Sequence, residues 1–259
     1  MLEKMMIQWC EEGAELARRY HRNTGELNFK YESEAVTRAD GEIETLLRKH
    51  IGEAFPDDLI VGEEFGGPKS ADIPLLARVW QIDPIDGTLN YALGMPNYCI
   101  SLALLEGEKI LAAVIHQPAT GDSFTALAGK GARLNGKAIG VNCQRDLKNS
   151  IISLQLKNDG LVMQNPQLLH DLSTAPMRVR RCGAVALEMA WVAAGFCDLM
   201  VASFNGLIHP WDVAAGLLLV QEAGGEALDF QGRPYRMSAP EMLVGSPLVA
   251  RQLVDRLCL

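Results

Sequence analysis

Arg78-Val79-Trp80-Gln81-Ile82 runs directly into Asp83-Pro84-Ile85-Asp86-Gly87-Thr88. The apolar run reads as a strand, and it delivers two carboxylates and a Gly-Thr at its end. Hard divalent cations such as Mg²⁺ take oxygen ligands and keep several waters, so acids grouped with room for water and phosphate suit them. The alternative is a plain type I turn, since Asp, Pro and Gly are turn residues and Asp-Gly marks loops. Only the rest of the chain decides between the two.

Immediately upstream, Leu59-Ile60-Val61 reads as a buried strand running into Gly62-Glu63-Glu64, a second acidic pair at a strand end. A helix is predicted to start near Asp40, with Ile43, Leu46, Leu47 and Ile51 on one face, and Asp40 as N-cap is the ordinary reading. Residues 2–22 carry Leu2, Met5, Met6, Trp9, Gly13, Leu16, Ala17 and Tyr20 at three- and four-residue steps, an amphipathic helix. Between these helices Leu27, Phe29 and Tyr31 alternate as a short strand that carries Lys30.

Downstream, residues 97–105, 109–116 and 122–127 read as strands joined by short turns, hence a largely antiparallel sheet. The basic, Gly-rich tract 129–137 lacks the GxxxxGK[ST] spacing of a phosphate loop and reads as a hairpin tip. From about residue 141 the texture becomes α/β: strands over 151–156, 177–181 and 198–203 alternate with helices over 161–172 and 184–194. His209-Pro210-Trp211-Asp212 opens a helix over 213–223 with Gly224-Gly225 at its end. Strands near 227–230 and 242–245 and a helix over 247–257 close the chain. The domain reading is an α+β half, 1–140, and an α/β half, 141–259, packed as one unit.

With 259 residues, 48% of them hydrophobic and 22% charged, the chain has ample material for a core. A formal charge of -8 argues against a nucleic-acid surface, which needs concentrated Lys and Arg. The six cysteines are scattered without a CxxC pair, as free thiols in a reducing compartment would be. Glu3, Lys4, Glu11 and Glu12 interrupt any signal-peptide core, and apolar runs break within about a dozen residues, too short for a membrane span. A cytoplasmic protein is expected.

Glu63, Asp83, Asp86 and Asp212, with Asp40 as a possible fifth, are acids at strand or helix ends. If they share one pocket they repel, and cations must neutralise them. Two or more Mg²⁺ ions can bridge a phosphate, lower the pKa of a water and stabilise a leaving oxygen, which suits phosphate hydrolysis. Thr88 adds a hydroxyl to orient that water, and the Gly87 and Thr88 amides can face phosphate if a helical turn begins there.

Gly62-Glu63-Glu64, the stretch from Trp80 through Asp83-Pro84-Ile85-Asp86-Gly87-Thr88 to Tyr91, and Pro210-Trp211-Asp212-Val213-Ala214-Ala215-Gly216 together resemble the inositol monophosphatase family. Gly94-Met95-Pro96, residues 101–104 and the tract 129–137 also look like that family, and the match covers most of the chain in order. The resemblance implies a layered αβαβα sandwich of the inositol monophosphatase and fructose-1,6-bisphosphatase type, α+β in one half and α/β in the other. It implies Glu63, Asp83, the carbonyl of Ile85, Asp86 and Asp212 as ligands for two or three Mg²⁺ ions, with Glu63 and Thr88 activating water. Asp40 matches an outer catalytic acid near the weaker metal position. Lys30 matches a basic residue there, or is simply a solvated lysine. Gly87, Thr88 and Asp86 would bind phosphate or substrate, and Gly183-Ala184-Val185 matches a substrate-side segment, with Gly183 and Val185 in contact with substrate. Family members are often lithium-sensitive homodimers, and both properties are carried over as expectations.

The chain departs from the family where substrate is chosen. Inositol-specific members place a Glu seven residues before the Asp212 position, and this chain has Asn205, which is uncharged and both donates and accepts. A small phosphorylated substrate such as inositol 1-phosphate is expected, with histidinol phosphate, a sugar bisphosphate or a 3'-phosphonucleotide as alternatives. A binding or regulatory protein that has kept the fold is the reading from another class. His116, His170 and His209 are expected to be structural.

Overall fold

The computed structural model describes residues 1–21, 28–31, 34–156, 161–204, 208–237 and 239–257. Helix α1 (Leu2–Tyr20) buries Met6, Trp9, Gly13 and Ala17 of the stripe its periodicity predicts, with Cys10 and Ala14 beside them, while Leu2, Met5, Leu16 and Tyr20 are partly covered. A two-stranded antiparallel ribbon, β1 (Asn28–Tyr31) and β2 (Glu34–Val36), leads to α2 (Arg38–Ala54). The sequence pointed to Asp40 as the N-cap of α2, but Thr37 holds that place. Asp40 stands at the third helical position, where its side chain accepts from the Thr37 amide in a capping box.

Next come β3 (Leu59–Gly62), β4 (Arg78–Asp86), α3 (Thr88–Ala92), β5 (Cys99–Glu106), β6 (Lys109–Gln117), β7 (Asp122–Leu127), β8 (Ala132–Leu134) and β9 (Lys137–Ala138). These strands form one sheet in sequence order, with β3 and β4 parallel and every other pair antiparallel. As an edge strand β3 is only partly covered, not buried as its apolar run suggested. The turn reading of Asp83 to Asp86 does not hold: β4 runs through Asp83, Pro84 and Ile85 to Asp86, all buried. Its pairing with β5 slips between Asp83 and Asp86. Three residues apart, these two acids would face opposite sides of an unbroken strand, and the irregularity also accommodates Pro84, which has no amide to donate.

The chain continues through β10 (Ile151–Leu156), α4 (Leu161–Gln164), α5 (Pro166–Thr174), β11 (Arg178–Arg180), α6 (Val185–Ala193), β12 (Leu199–Ser203), α7 (Pro210–Glu222), β13 (Glu226–Leu228), β14 (Glu241–Gly245) and α8 (Pro247–Leu257), and the five strands among these form the second sheet. Its order is β11-β10-β12-β14-β13, parallel among the first three strands and antiparallel after them. The single helix predicted over 161–172 is two helices. Asn165 caps α5 by accepting from the Leu168 amide at 3.1 Å, and Pro166 occupies the first turn.

Strand alternation sorts these elements into five layers. Ile100, Leu102 and Leu104 of β5 pack with α1 and α2, while Cys99, Ala103 and Leu105 face α6 and α7 on the other side. Met200 and Ala202 of β12 close the same middle layer, and Leu199 and Val201 face outward to α5 and α8. The order is therefore helix, sheet, helix, sheet, helix, the αβαβα sandwich expected, with α6 and α7 fully inside it. That central position explains why α6 and α7 are apolar nearly all round.

The basic tract 129–137 forms the turn before β8 and the bend to β9, and its Gly129 and Gly131 amides donate to the Glu222 carboxylate at 2.7 and 2.8 Å. Its role is to join α7 to the sheet. His116 shares a hydrogen bond with Ser123 Oγ at 2.8 Å inside the sheet, and His209 stacks on Trp211 at the start of α7. Among the described residues no helix is long and apolar enough to cross a membrane.

Candidate active site

The acids separated along the chain meet where the end of β4, the turn after β3 and the first turn of α7 come together. Asp83 is 2% exposed, and its Oδ1 is buried without a hydrogen-bond partner. Burial first, then the charges of Glu63, Asp86 and Asp212, push its carboxyl well above the usual range, and a hydrogen bond with Glu63 acts in the same direction. Asp212 stands at the third position of α7, where its Oδ2 accepts from the His209 amide at 2.8 Å. Ser101 Oγ of β5 donates to the Trp211 carbonyl at 3.3 Å, tying that turn to the large sheet.

Asp40 enters the same field from α2. Burial carries it from 3.8 to about 6, the nearby Glu63 adds to this, and two hydrogen bonds from Thr37 oppose it. Those bonds occupy Oδ2, at 2.9 Å from the Thr37 amide and 2.5 Å from its hydroxyl. The Thr88 hydroxyl lies 2.9 Å from the Ile85 carbonyl and 3.3 Å from Asp40 Oδ1, so its one proton has two acceptors. With that proton engaged, the Thr88 oxygen keeps lone pairs for a water.

Asp86 does something spacing did not suggest. Its Oδ1 accepts from the Val185 amide at 2.8 Å and its Oδ2 from the Leu187 amide at 3.1 Å, so it caps α6 from across the fold. Burial lifts it to about 6 against the pull of those hydrogen bonds. The segment from Gly183 to Leu187 is thereby fastened to the end of β4. Asn90 adds a second tie, its Nδ2 donating to the Asn97 carbonyl at 2.8 Å and the Cys182 carbonyl at 2.7 Å. Gly87 sits between them at φ +86, where a Cβ would stand 2.8 Å from the Asn97 oxygen and 3.0 Å from the Ala184 Cβ. Only glycine fits that backbone and that space.

The structure thus gathers Asp40, Glu63, Asp83, Ile85, Asp86, Gly87, Thr88 and Asp212, with Gly183 and Val185 against them. Asn205 lies outside the described residues, and Lys30 is on β1, which is described by its backbone alone. Two further acids were missed. Glu44 of α2 is fully buried beneath the turn that carries Glu63. Glu188 of α6 is 1% exposed, close enough to Asp86 to feel its charge, and carried to about 7 mainly by burial. Each stands in an apolar helical face, a signal that the sequence contained.

A divalent cation fits this donor set. It would give Asp83 Oδ1 the partner it lacks and relieve the mutual repulsion that raises Asp83. Among the described residues no three His, Cys, Asp or Glu side chains form a group close enough to hold an ion by themselves. The acids share one field without closing around a point, so a cation would also draw on carbonyls and water. The Ile85 carbonyl, with two lone pairs and one bond from Thr88, is available for that.

Comparison with known proteins agrees with this geometry. The inositol monophosphatase family model matches residues 2–258. Inositol monophosphatase 1 of Solanum lycopersicum is 31% identical over 256 residues, covering 97% of this chain and 92% of that protein. A protein named Nus factor SuhB in Xylella fastidiosa is 40% identical over 195 residues, 74% of this chain and 68% of that one. The solved inositol monophosphatase of Thermotoga maritima superposes with a TM-score of 0.86 at 30% identity, covering 98% of this chain and 96% of that one. With the family model spanning nearly the whole sequence, the chain belongs to the inositol monophosphatase family, whose members are phosphatases.

Proposed function

We propose that the chain is a Mg²⁺-dependent phosphomonoesterase of small hydroxylated phosphates, with inositol 1-phosphate as the leading substrate. The observation that carries this is Asp83, with one buried oxygen unpartnered and three other carboxylates raising it. Glu63, Asp83, the Ile85 carbonyl, Asp86 and Asp212 would hold two or three ions, with Asp40 and Lys30 at the outer position. When bound, such ions supply positive charge to the phosphate and acidify the attacking water.

The protein's own groups do the rest. Thr88 Oγ1 directs its proton to the Ile85 carbonyl or Asp40 Oδ1 and accepts a hydrogen bond from the water. Glu63 receives the water's proton. The Gly87 and Thr88 amides bind phosphate, and Gly183 and Val185 face the alcohol portion, with the Val185 amide exchanging between Asp86 and substrate. Asn205, in place of a carboxylate, gives an uncharged contact to a hydroxyl. We read 1–140 and 141–259 as halves packed as one unit, supported by the packing of α7 on β4 to β8. A homodimer, lithium sensitivity and cytoplasmic residence extend from family membership, and the free cysteines support a reducing compartment.

The test is phosphate release from inositol 1-phosphate, fructose 1,6-bisphosphate, histidinol phosphate and a 3'-phosphonucleotide, each with Mg²⁺ and with chelator. The expected result is Mg²⁺-dependent turnover with the highest kcat/KM on inositol 1-phosphate. Preference for another ester corrects the substrate, and background release on all of them refutes hydrolysis as the role. The second reading is a binding role, motivated by the 40% identical relative named as a Nus factor. Background release throughout the panel favours it.

A further inference from the structure

Glu44 lies one helical turn beyond Asp40 on α2, the helix that sends Asp40 into the site. It is fully buried, and no step of the proposed chemistry uses it. Its Oε2 accepts from the Glu64 amide at 2.7 Å and its Oε1 from the Phe65 amide at 3.2 Å. Arg48 Nε donates to Oε1 at 2.7 Å, while Arg48 Nη2 donates to the Gly66 carbonyl and the guanidinium lies over the Phe65 ring. The carboxylate presses so closely on the turn that a Cβ on Gly62 would overlap it.

With these contacts every amide of the turn has an acceptor. Gly62 and Gly66 bond each other's carbonyls at 3.0 Å, and the Glu63 amide donates at 3.1 Å to the Ile82 carbonyl, one residue before Asp83. Glu64 and Phe65 donate to Glu44. Glu63 is therefore fixed on one side by the strand that carries Asp83 and on the other by a buried carboxylate. Amides bound to an ionised acceptor are held more strongly than amides bound to a neutral one, so the turn has little freedom to carry Glu63 away.

We infer that Glu44 is a positioning residue that sets Glu63 for cation binding, acting through the Glu64 and Phe65 amides and locked by Arg48. This rests on the metal-dependent reading proposed above. Partners behind a metal ligand typically change affinity by about 10–100-fold when lost. A glutamine at this position keeps one accepting oxygen but turns a donor toward the second amide. Glu44→Gln is thus expected to loosen the turn without removing any group that touches ion or ester.

The experiment is calorimetric Mg²⁺ titration of the full chain, with thermal midpoints and with kcat and KM at saturating Mg²⁺. Glu44→Gln is expected to weaken Mg²⁺ binding about tenfold or more, to regain most of its turnover in excess Mg²⁺, and to keep the KM for ester within about twofold. Arg145→Met, which breaks the distant ion pair with the buried Asp198, is the control and is expected to lower thermal stability while leaving Mg²⁺ affinity at the wild-type value. If Glu44→Gln loses thermal stability as Arg145→Met does but binds Mg²⁺ like wild type, the positioning role is overturned and Glu44 is structural only. Should Glu44→Gln fail to fold, Glu44→Asp, which keeps the charge and shortens the reach, is read by the same criteria. A wild-type chain that neither binds Mg²⁺ nor releases phosphate overturns the metal-dependent reading itself. Normal wild-type behaviour with an unaffected Glu44 variant overturns only the role of Glu44.

Discussion

Replacing Asp83 with Asn removes a carboxyl that burial, and then the charges of Glu63, Asp86 and Asp212, hold well above its usual range. The scale of the cost can be gauged from Asp86, which burial, with a smaller push from Glu63, carries from 3.8 to about 6. Ionising such a group costs about 3 kcal/mol more than in water. Asp83 is raised in the same direction, with burial as the first cause and Glu63, Asp86 and Asp212 behind it. An amide of the same shape does not ionise and can donate to Glu63, but a buried amide still demands partners, which returns about 1–2 kcal/mol of the gain. The net expectation in chelator at pH 8 is a chain more stable by about 1–2 kcal/mol, or about 2–8 °C in thermal midpoint for a protein of this size. Mg²⁺ should stabilise wild type through binding and the variant far less, while phosphate release falls about 10²–10³-fold or more. The assay is thermal unfolding with EDTA and with Mg²⁺, paired with phosphate release. An Asp83→Asn protein that is less stable than wild type in EDTA and keeps its Mg²⁺ response would refute the reasoning.

The same charges set a pH dependence. Asp40 and Asp86 titrate near 6 when folded against 3.8 otherwise, so the folded chain holds protons that the unfolded chain has released between those values. Glu188, carried from 4.5 to about 7, and Asp83, raised well above the usual range, extend the effect upward, so stability in EDTA should fall as pH rises from about 4 to about 7. Glu12, Glu42 and Asp229 are lowered and act in the opposite direction, but they are only partly buried, and about 0.2 M salt weakens their effect. A midpoint that climbs across that range in salt contradicts the account. Gly87→Ala combines a left-handed backbone with a Cβ 2.8 Å from the Asn97 oxygen, and should cost about 1–3 kcal/mol and most of the turnover. Wild-type stability and kcat/KM in that variant would show that the backbone there can relax.

Much of this protein is legible in local pattern. The stripe of α1, the hairpins β5 to β7 and the closing helix α8 follow from periodicities that each segment carries within itself. Where the reading slipped, the missing signal was mostly local too. Thr37 three residues before Asp40 is a capping-box pattern, and Asn165-Pro166 marks a new helix start. Glu44 beside Ile43 and Leu47, and Glu188 within the apolar α6, are charges on faces that must be buried, a sign that a partner waits elsewhere.

What those partners are belongs to the tertiary structure alone. Asp86 caps α6 through residues 99 and 101 positions away, and Glu44 reads amides 20 and 21 positions on. Glu63, Asp83 and Asp212 acquire their shared field only when β3, β4 and α7 are packed together. Periodicity and propensity report how a residue sits on its own element, so the sequence determined the elements and the chemically capable side chains. Distance between elements is set by core packing and sheet order, and with it the fold decided which acids repel, which amides are capped and which oxygen of Asp83 is left without a partner.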